Sequence, residues 1–119
     1  MTPADEIKQA ATKLRALATA AAENSGNPDW TATRHFPTQP DSTYTTLWAT
    51  GVQPLLGGAG GRGRPPAYVT APVGDYIATM DPTIGIAIAD LLDDQADGDD
   101  EGVVNPWALA VARALNAQP

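Results

Sequence analysis

A capping side chain followed at once by proline occurs three times in this chain, at Thr2-Pro3, Asp81-Pro82 and Asn105-Pro106. The side-chain oxygen of the first residue can accept hydrogen bonds from the free backbone N–H groups at a helix start. Proline suits the first helical position because it has no N–H to leave unpaired and its backbone angle is already helical. The sequence therefore predicts three helices, one at the start of the chain and two in its last third.

The first predicted helix begins at Pro3, runs to about Glu23 and is rich in alanine. Apolar residues recur in it at alternating spacings of three and four, which places them on one side of a helix. They are Ile7, Ala10, Leu14, Leu17 and Ala21. Further alanines widen this stripe with small side chains, so another helix or a sheet can approach closely, and Gly26 can take the left-handed conformation that ends many helices. We also expect this Ala-rich face to mediate self-association as a homodimer.

The two C-terminal helices carry apolar faces of their own. The face of the helix after Asp81 consists of Ile84, Ile88, Leu91 and Leu92. Its apolar composition predicts the most buried helix of the chain. The stripe of the helix after Asn105 consists of Trp107, Val111, Ala114 and Leu115. A short turn over residues 75–80 is expected to bring Tyr76, Ile77 and Met80 against a sheet.

Two segments between these helices have the composition and alternation of β-strands. In residues 30–36, Trp30, Ala32 and Phe36 fall on one face together with Arg34, and Thr31, Thr33 and His35 fall on the other. Residues 43–50 form the second run, and the turn composition of residues 37–42 predicts an antiparallel pair. Residues 67–71 are expected to add a third strand. A weaker candidate, residues 52–56, is confined to a sheet edge by Pro54.

These elements predict a single α+β domain over residues 1–119. It would contain an N-terminal helix, a small antiparallel sheet of three to four strands, and two C-terminal helices packed on one face of the sheet. A chain of this length can bury one core without covalent staples, and it contains no cysteine. With an acidic N-terminus and no apolar run near the roughly 20 residues of a membrane span, we expect a cytoplasmic protein without membrane contact.

Charge is distributed unevenly along the chain, whose formal net charge is -7. Residues 1–72 carry six Lys or Arg and five acids, whereas residues 73–119 carry Arg113 alone and nine acids. The acidic half would repel phosphate backbones, which argues against nucleic-acid binding over the whole surface. Any contact with a polyanion would have to use the first half.

Two segments of biased composition connect the predicted elements. Residues 57–66 are a Gly/Arg/Pro loop without the Gly-Lys-Ser/Thr signature of a phosphate loop, and we expect a flexible linker whose Arg62 and Arg64 could clamp an anion. Residues 93–104 are an acidic connector with six acids in its first nine residues. Alignment with a calcium loop fails because Gln95 and Val104 stand where carboxylates are needed. The sequence thus predicts a solvated connector, no metal site and no cofactor.

The candidate ligand-binding residues lie on and near the predicted strand pair. They are Arg34, His35, Tyr44, Trp48, Arg62 and Arg64. Arginines bind anions through charge-assisted hydrogen bonds, and aromatic rings can stack on a flat ligand. His35, the only histidine, could act as a general base if Asp29, Asp41 or Asp75 lay beside it, but the sequence contains no recognisable catalytic motif, so no catalytic residue is assigned.

Four segments form one further pattern: the Ala-rich stretch 10–22, Pro28-Asp-Trp30, residues 76–82 leading into residues 86–92, and residues 108–116. In this pattern the chain resembles a group of small uncharacterised proteins from actinobacteria, their phages and prophages. The resemblance leaves residues 37–66 unmatched. Ile77-Ala-Thr-Met-Asp-Pro82 is also distantly similar to the Ile-Ala-x-x-x-Pro segment that starts a helix in Ead-like phage early-region proteins. The resemblance implies an origin, and no catalytic residue.

The favoured function is therefore non-enzymatic binding, as a host-interaction protein of phage or prophage type. In its sharpest form, the protein sequesters a small anionic, nucleotide-like ligand in counter-defence. Two alternatives remain open: a homodimer with a purely structural or protein-interaction role, and a small hydrolase-like enzyme that uses His35.

Overall fold

The computed structural model describes residues 1–35, 44–57 and 67–119. In these ranges the chain forms α1 (Pro3–Ser25), β1 (Trp30–Arg34), β2 (Tyr44–Ala49), β3 (Gln53–Pro54), β4 (Val69–Thr70), α2 (Ala71–Thr79), α3 (Pro82–Ala96) and α4 (Pro106–Asn116). The α+β class is confirmed, with an N-terminal helix, a small antiparallel sheet and two C-terminal helices. The chain divides into two compact units, residues 1–20 with 84–119 (the helical unit) and residues 21–83 (the sheet unit). That the chain is a single domain stays a prediction.

All three helices that were predicted from a capping residue and proline begin at the predicted proline. The Thr2 hydroxyl accepts from the Asp5 N–H at 3.1 Å, and the Asp5 carboxylate accepts from the Thr2 N–H at the same distance. The amide oxygen of Asn105 accepts from the N–H groups of the next two helical residues at 2.8 and 3.3 Å. Gly26 closes α1 with a φ of 93°, as expected.

The sheet is built around β2. β1 pairs antiparallel with one edge of β2, from Trp30 opposite Ala49 to Arg34 opposite Thr45. β3 and β4 pair with the other edge, one at each end of β2. Pro54 lies in β3 at the end of the strand order, which confirms its predicted place on a sheet edge.

α2 replaces part of a predicted strand and the predicted turn after it. The strand expected over residues 67–71 is limited to Val69–Thr70, because extended Thr70 starts a helix whose first turn contains proline. α2 packs on β1, β2 and β4 through its small residues, and a Cβ atom on Gly74 would lie 2.7 Å from Thr45 Cγ2. Such close packing leaves no room for large side chains. The expected contact of Tyr76 and Met80 with the sheet is therefore wrong, since both are exposed.

Within the helical unit, α1, α3 and α4 enclose an apolar core. Its buried members are Ile7, Ala10, Ala11, Leu92, Ala96 and Ala112. Most of them are alanines, so the helices lie close together, and a Cβ atom on Gly85 of α3 would lie 3.1 Å from Ala18 Cβ of α1. The Lys13 ammonium group donates to the carbonyls of Leu115 and Gln118 at 2.8 and 2.6 Å, which satisfies free acceptors at the end of α4.

This close packing overturns the predicted burial of several large side chains. Those predicted to lie on buried faces but found exposed are Leu17, Ile84, Leu91, Trp107 and Val111. In α3 the buried stripe is instead Gly85, Ala89, Leu92 and Ala96. In α1, Ala10, Ala11 and Ala18 are buried within the chain itself. That part of the Ala-rich face is therefore not available for the predicted self-association.

Candidate functional site

Three of the six predicted ligand-binding residues share one face of the sheet. Strand alternation places His35, Tyr44 and Trp48 on the same side, together with the threonines of β1 and β2 that neighbour them. We call this surface the threonine face, formed by Thr31, Thr33, His35, Tyr44, Thr46, Trp48 and Thr50. Arg34 falls on the opposite face, across from Thr45, and Arg62 and Arg64 lie outside the described residues. The threonine face thus gathers hydroxyls and rings, and Arg34 is not part of it.

Two hydrogen-bonded pairs of side chains lie within the threonine face, and each pair includes a threonine hydroxyl. His35 Nε2 lies 2.5 Å from the Thr46 hydroxyl, and the hydroxyls of Thr31 and Thr50 lie 2.5 Å apart. A shallow depression of about 300 Å³ is lined by Thr31, Thr33, Trp48, Thr50 and Gly51. The residues that line the depression carry no charge, so they suit an uncharged ligand better than the anion that was predicted.

The predicted general-base pair of His35 with Asp29 does not form. Asp29 precedes β1 and His35 follows it, so six residues of extended chain, roughly 20 Å, separate them. The Asp29 carboxylate instead accepts from the Thr83 hydroxyl at 2.6 Å. Asp75 is exposed on α2, and Asp41 lies outside the described residues.

The acidic connector is shaped by its own hydrogen bonds. α3 continues to Ala96, so the first four of residues 93–104 are helical. After the helix, one carboxylate oxygen of Asp99 accepts from the N–H groups of Glu101 and Val103 at 2.9 and 2.8 Å. Gly98 and Gly102 flank this turn with φ values of 75° and 79°. Within the described ranges, no three His, Cys, Asp or Glu side chains are grouped to hold a metal ion.

An apolar groove of about 390 Å³ lies between α3 and α4 of the helical unit. It is lined by Ile88, Leu91, Leu92, Gln95, Asn105, Trp107, Ala108 and Val111. Three of its large side chains are solvent-exposed: Trp107 by 80%, Leu91 by 57% and Val111 by 44%. None of the lining side chains carries a charge. The groove can therefore take apolar atoms out of water, and Gln95 and Asn105 provide polar groups at one end.

The groove exists because most of the residues that α3 and α4 bury completely are small, with Leu92 as the large exception. α3 turns Gly85, Ala89 and Ala96 inward, and α4 turns Ala112 inward. Leu91 of α3 and Trp107 of α4 lie away from these buried positions and are exposed. This arrangement leaves apolar surface in contact with solvent that would be buried if the large side chains faced the core.

The charged groups around the groove are predominantly acidic. Arg15 donates to Asp90 and Asp93 at 3.0 and 2.6 Å, and these hydrogen bonds raise the pKa of its guanidinium above the usual value. Arg113, the only basic residue after residue 72, pairs with Glu6 at 3.3 Å. Apart from Asp93, the carboxylates of the connector form no ion pair with any described residue.

Comparison with known proteins assigns no family. The sequence matches no protein-family model, and no curated protein or solved structure is significantly similar to it. None of the helices within the described ranges is long and apolar enough to cross a membrane. Function must therefore be inferred from the surfaces described above.

The groove residues were missed because the sequence assigned them to the core. Leu91, Trp107 and Val111 were each predicted to lie on a buried helix face. A signal was present in the small residues, which recur at positions 85, 89 and 96 of α3 and at 108 and 112 of α4. Matching these stripes to the Ala-rich α1 would have turned the larger residues toward solvent.

Proposed function

We propose that this protein is a non-enzymatic interaction module whose apolar groove holds an apolar segment of a partner protein. The observation that carries the proposal is the exposure of Leu91, Trp107 and Val111 around one concave surface. Large contiguous patches of exposed apolar residues are rare on monomeric proteins, and those that occur mark interaction sites. Tryptophan is, in addition, among the residues that contribute most binding energy at interfaces.

The proposal places binding on a different surface from the predicted anion site. Arg34 lies on the opposite side of the sheet from His35, Tyr44 and Trp48, which weakens the case for an anion held by all four. All of the groove lining belongs to the described part of the chain, and its apolar contacts need no charge. The sequence resemblance to phage and prophage proteins favours a cytoplasmic host protein as the partner, and that origin is part of the proposal.

A peptide selection tests whether the groove binds. A displayed library of randomised helical peptides is enriched on the wild-type protein, and the selected peptides are measured against the variant Leu91→Gln/Val111→Gln. Glutamine is neutral and favours helix, so both exposed sites should tolerate it. We expect affinity to fall at least about tenfold, because the variant removes apolar contacts from the groove.

Leu17→Gln is the matched control, because Leu17 is an equally exposed leucine of the same unit that does not line the groove. It should leave the affinity unchanged, and circular dichroism should show equal helix content in all three proteins. The proposal is wrong if no peptide is enriched, or if the selected peptides bind the groove variant as well as they bind wild type.

A further inference from the structure

We infer that the occupant of the groove is a basic amphipathic helix, with apolar side chains in the groove and Lys or Arg beside the carboxylates around it. The inference rests on the proposed function and adds the chemistry of the partner. It combines three observations. They are the dimensions of the groove, the acids at one end of it, and the bonds that most basic residues of the helical unit already make to other groups.

The dimensions of the groove fit a helix. Its lining on α3 runs from Ile88 to Gln95, and the seven steps between these residues, at 1.5 Å each, span roughly 10 Å. Apolar residues at positions i, i+3 or i+4, and i+7 of a partner helix cover the same length. Two or three side chains of one helical face are therefore enough to fill it.

The carboxylates lie where the groove meets the connector. Gln95 and Asn105 line that end, and the chain between them carries Asp97, Asp99, Asp100 and Glu101. Asp94 adds a fifth carboxylate three residues after Leu91, on a neighbouring position of the same helix. The C-terminal end of α3 contributes partial negative charge from its free carbonyl groups.

Three of the four Lys and Arg residues of the helical unit, all except Lys8, are engaged by other groups. Arg15 binds Asp90 and Asp93, and Arg113 binds Glu6. Lys13 donates to carbonyl groups at the end of α4. No described residue forms an ion pair with any of the five carboxylates around the groove end, so they can accept the opposite charge from a partner.

The same charges disfavour a second copy of this chain as the occupant. In a twofold dimer each copy presents the same surface to the other. Groove-to-groove contact would add the acids of both copies to one interface, and like charges at an interface oppose association. A basic helix gains from the carboxylates instead, and positive charge also speeds its encounter with the acidic surface.

The test compares two designed helical peptides with identical leucines at i, i+3 and i+7. One carries Lys and Arg at its polar positions and the other carries Glu. Their affinities for the full-length protein are measured by fluorescence anisotropy. At low ionic strength we expect the basic peptide to bind at least about tenfold more tightly, and the difference to shrink as salt is added.

A neutralised protein, Asp94→Asn/Asp97→Asn/Asp100→Asn/Glu101→Gln, should bind the two peptides with nearly equal affinity. Asp99 is kept because its carboxylate shapes the connector turn. The control Glu23→Gln/Asp75→Asn removes exposed acids of the sheet unit and should preserve the preference for the basic peptide.

The possible results distinguish the proposed groove function from the proposed basic partner. Equal binding of both peptides to wild type, lost in Leu91→Gln/Val111→Gln, would overturn the basic partner and leave the groove function standing. Failure of both peptides, when the peptide selection also yields none, would overturn the groove itself. A wild-type protein that sediments as a dimer and becomes a monomer in the groove variant would assign the groove to a second copy.

Discussion

At the scale of single residues, Asp99 shows how an exposed charge can be structural. Its carboxylate accepts two backbone N–H groups, as a helix-capping side chain does. The preceding residue, Gly98, is held in a left-handed conformation, and a Cβ atom there would lie 2.8 Å from the carbonyl carbon of Gly102. From sequence alone, Asp99 would be one of several interchangeable surface acids.

We therefore expect Asp99→Ala to lower the free energy of unfolding by about 0.5–2 kcal/mol, the range for loss of a capping side chain. Asp100→Ala, the adjacent acid without such a bond among the described contacts, should change it by less than about 0.5 kcal/mol. Urea unfolding followed by circular dichroism measures both. Equal effects of the two substitutions would show that the turn does not depend on the Asp99 carboxylate.

Asp5 gives a residue-scale prediction for pH. Hydrogen bonds from the backbone and side chain of Thr2 hold the pKa of the Asp5 carboxyl below its ordinary value of 3.8. The folded state then binds this proton less readily than the unfolded state, so the stabilisation is present above pH 3.8 and is lost as pH falls through the lowered pKa.

The free energy of unfolding of wild type should consequently fall more steeply with decreasing pH than that of Asp5→Asn, over the interval below the ordinary carboxyl pKa. Asparagine can still cap but does not titrate. Thermal melts of both proteins at a series of pH values measure the difference. Parallel curves through that interval would mean that Asp5 does not titrate differently in the folded state.

At the scale of elements, α3 offers a comparison between two neighbouring leucines. Leu92 is 2% exposed and belongs to the core of the helical unit, whereas Leu91 lines the groove and is largely exposed. Leu92→Ala should cost about 2–5 kcal/mol of unfolding free energy, as a large-to-small change in a core. Leu91→Ala should cost less than about 1 kcal/mol in the same urea titration, because the side chain is mostly in solvent already.

The sequence indicated the opposite for Leu91, and a loss of equal size at both positions would restore that assignment. The comparison needs no further control, because both variants make the same chemical change in the same helix. A large effect of Leu91→Ala would also remove the support for the apolar groove.

Three of the four helix starts could be predicted from the sequence because capping depends on neighbouring residues. The start of α2 could not, since Thr70 makes no capping hydrogen bond with its side chain. Thr2, Asp81 and Asn105 each precede a proline, and the capping chemistry acts within one turn. The helix faces could not be predicted in the same way, since α3 is apolar around much of its circumference. Which side it buries depends on the approach distance to α1, and that distance is set by residues far away in sequence, Ala18 and Gly85 among them.

The two candidate surfaces differ in the same way: one could be predicted from the sequence and the other could not. The threonine face followed from strand alternation, which put Tyr44 and Trp48 on one side and set Arg34 apart from His35. The apolar groove could not be predicted from a local pattern, because it forms only where two helices meet. A tertiary surface of this kind is visible in sequence only through the stripes of small residues that create it.

At the scale of the whole molecule, the excess of acidic residues and the exposed apolar groove lie in the same part of the sequence. Residues 84–119 contain the groove and seven of the fourteen acids of the chain, but only one basic residue. Apolar exposure alone favours self-association, whereas net charge of one sign opposes it. The balance between the two determines the oligomeric state, which the sequence predicted to be a homodimer through the Ala-rich helix.

We expect sedimentation equilibrium to give the mass of a monomer, 12.3 kDa, at tens of micromolar protein and low ionic strength. The alanines that would have formed the predicted dimer interface are partly buried within the chain, and the groove is bordered by acids that repel a second copy. Added salt screens that repulsion, so any dimer should appear first at high ionic strength and should be abolished by Leu91→Gln/Val111→Gln. A dimer at low salt that persists in this groove variant but is lost in Leu17→Gln would instead assign self-association to the exposed side of α1.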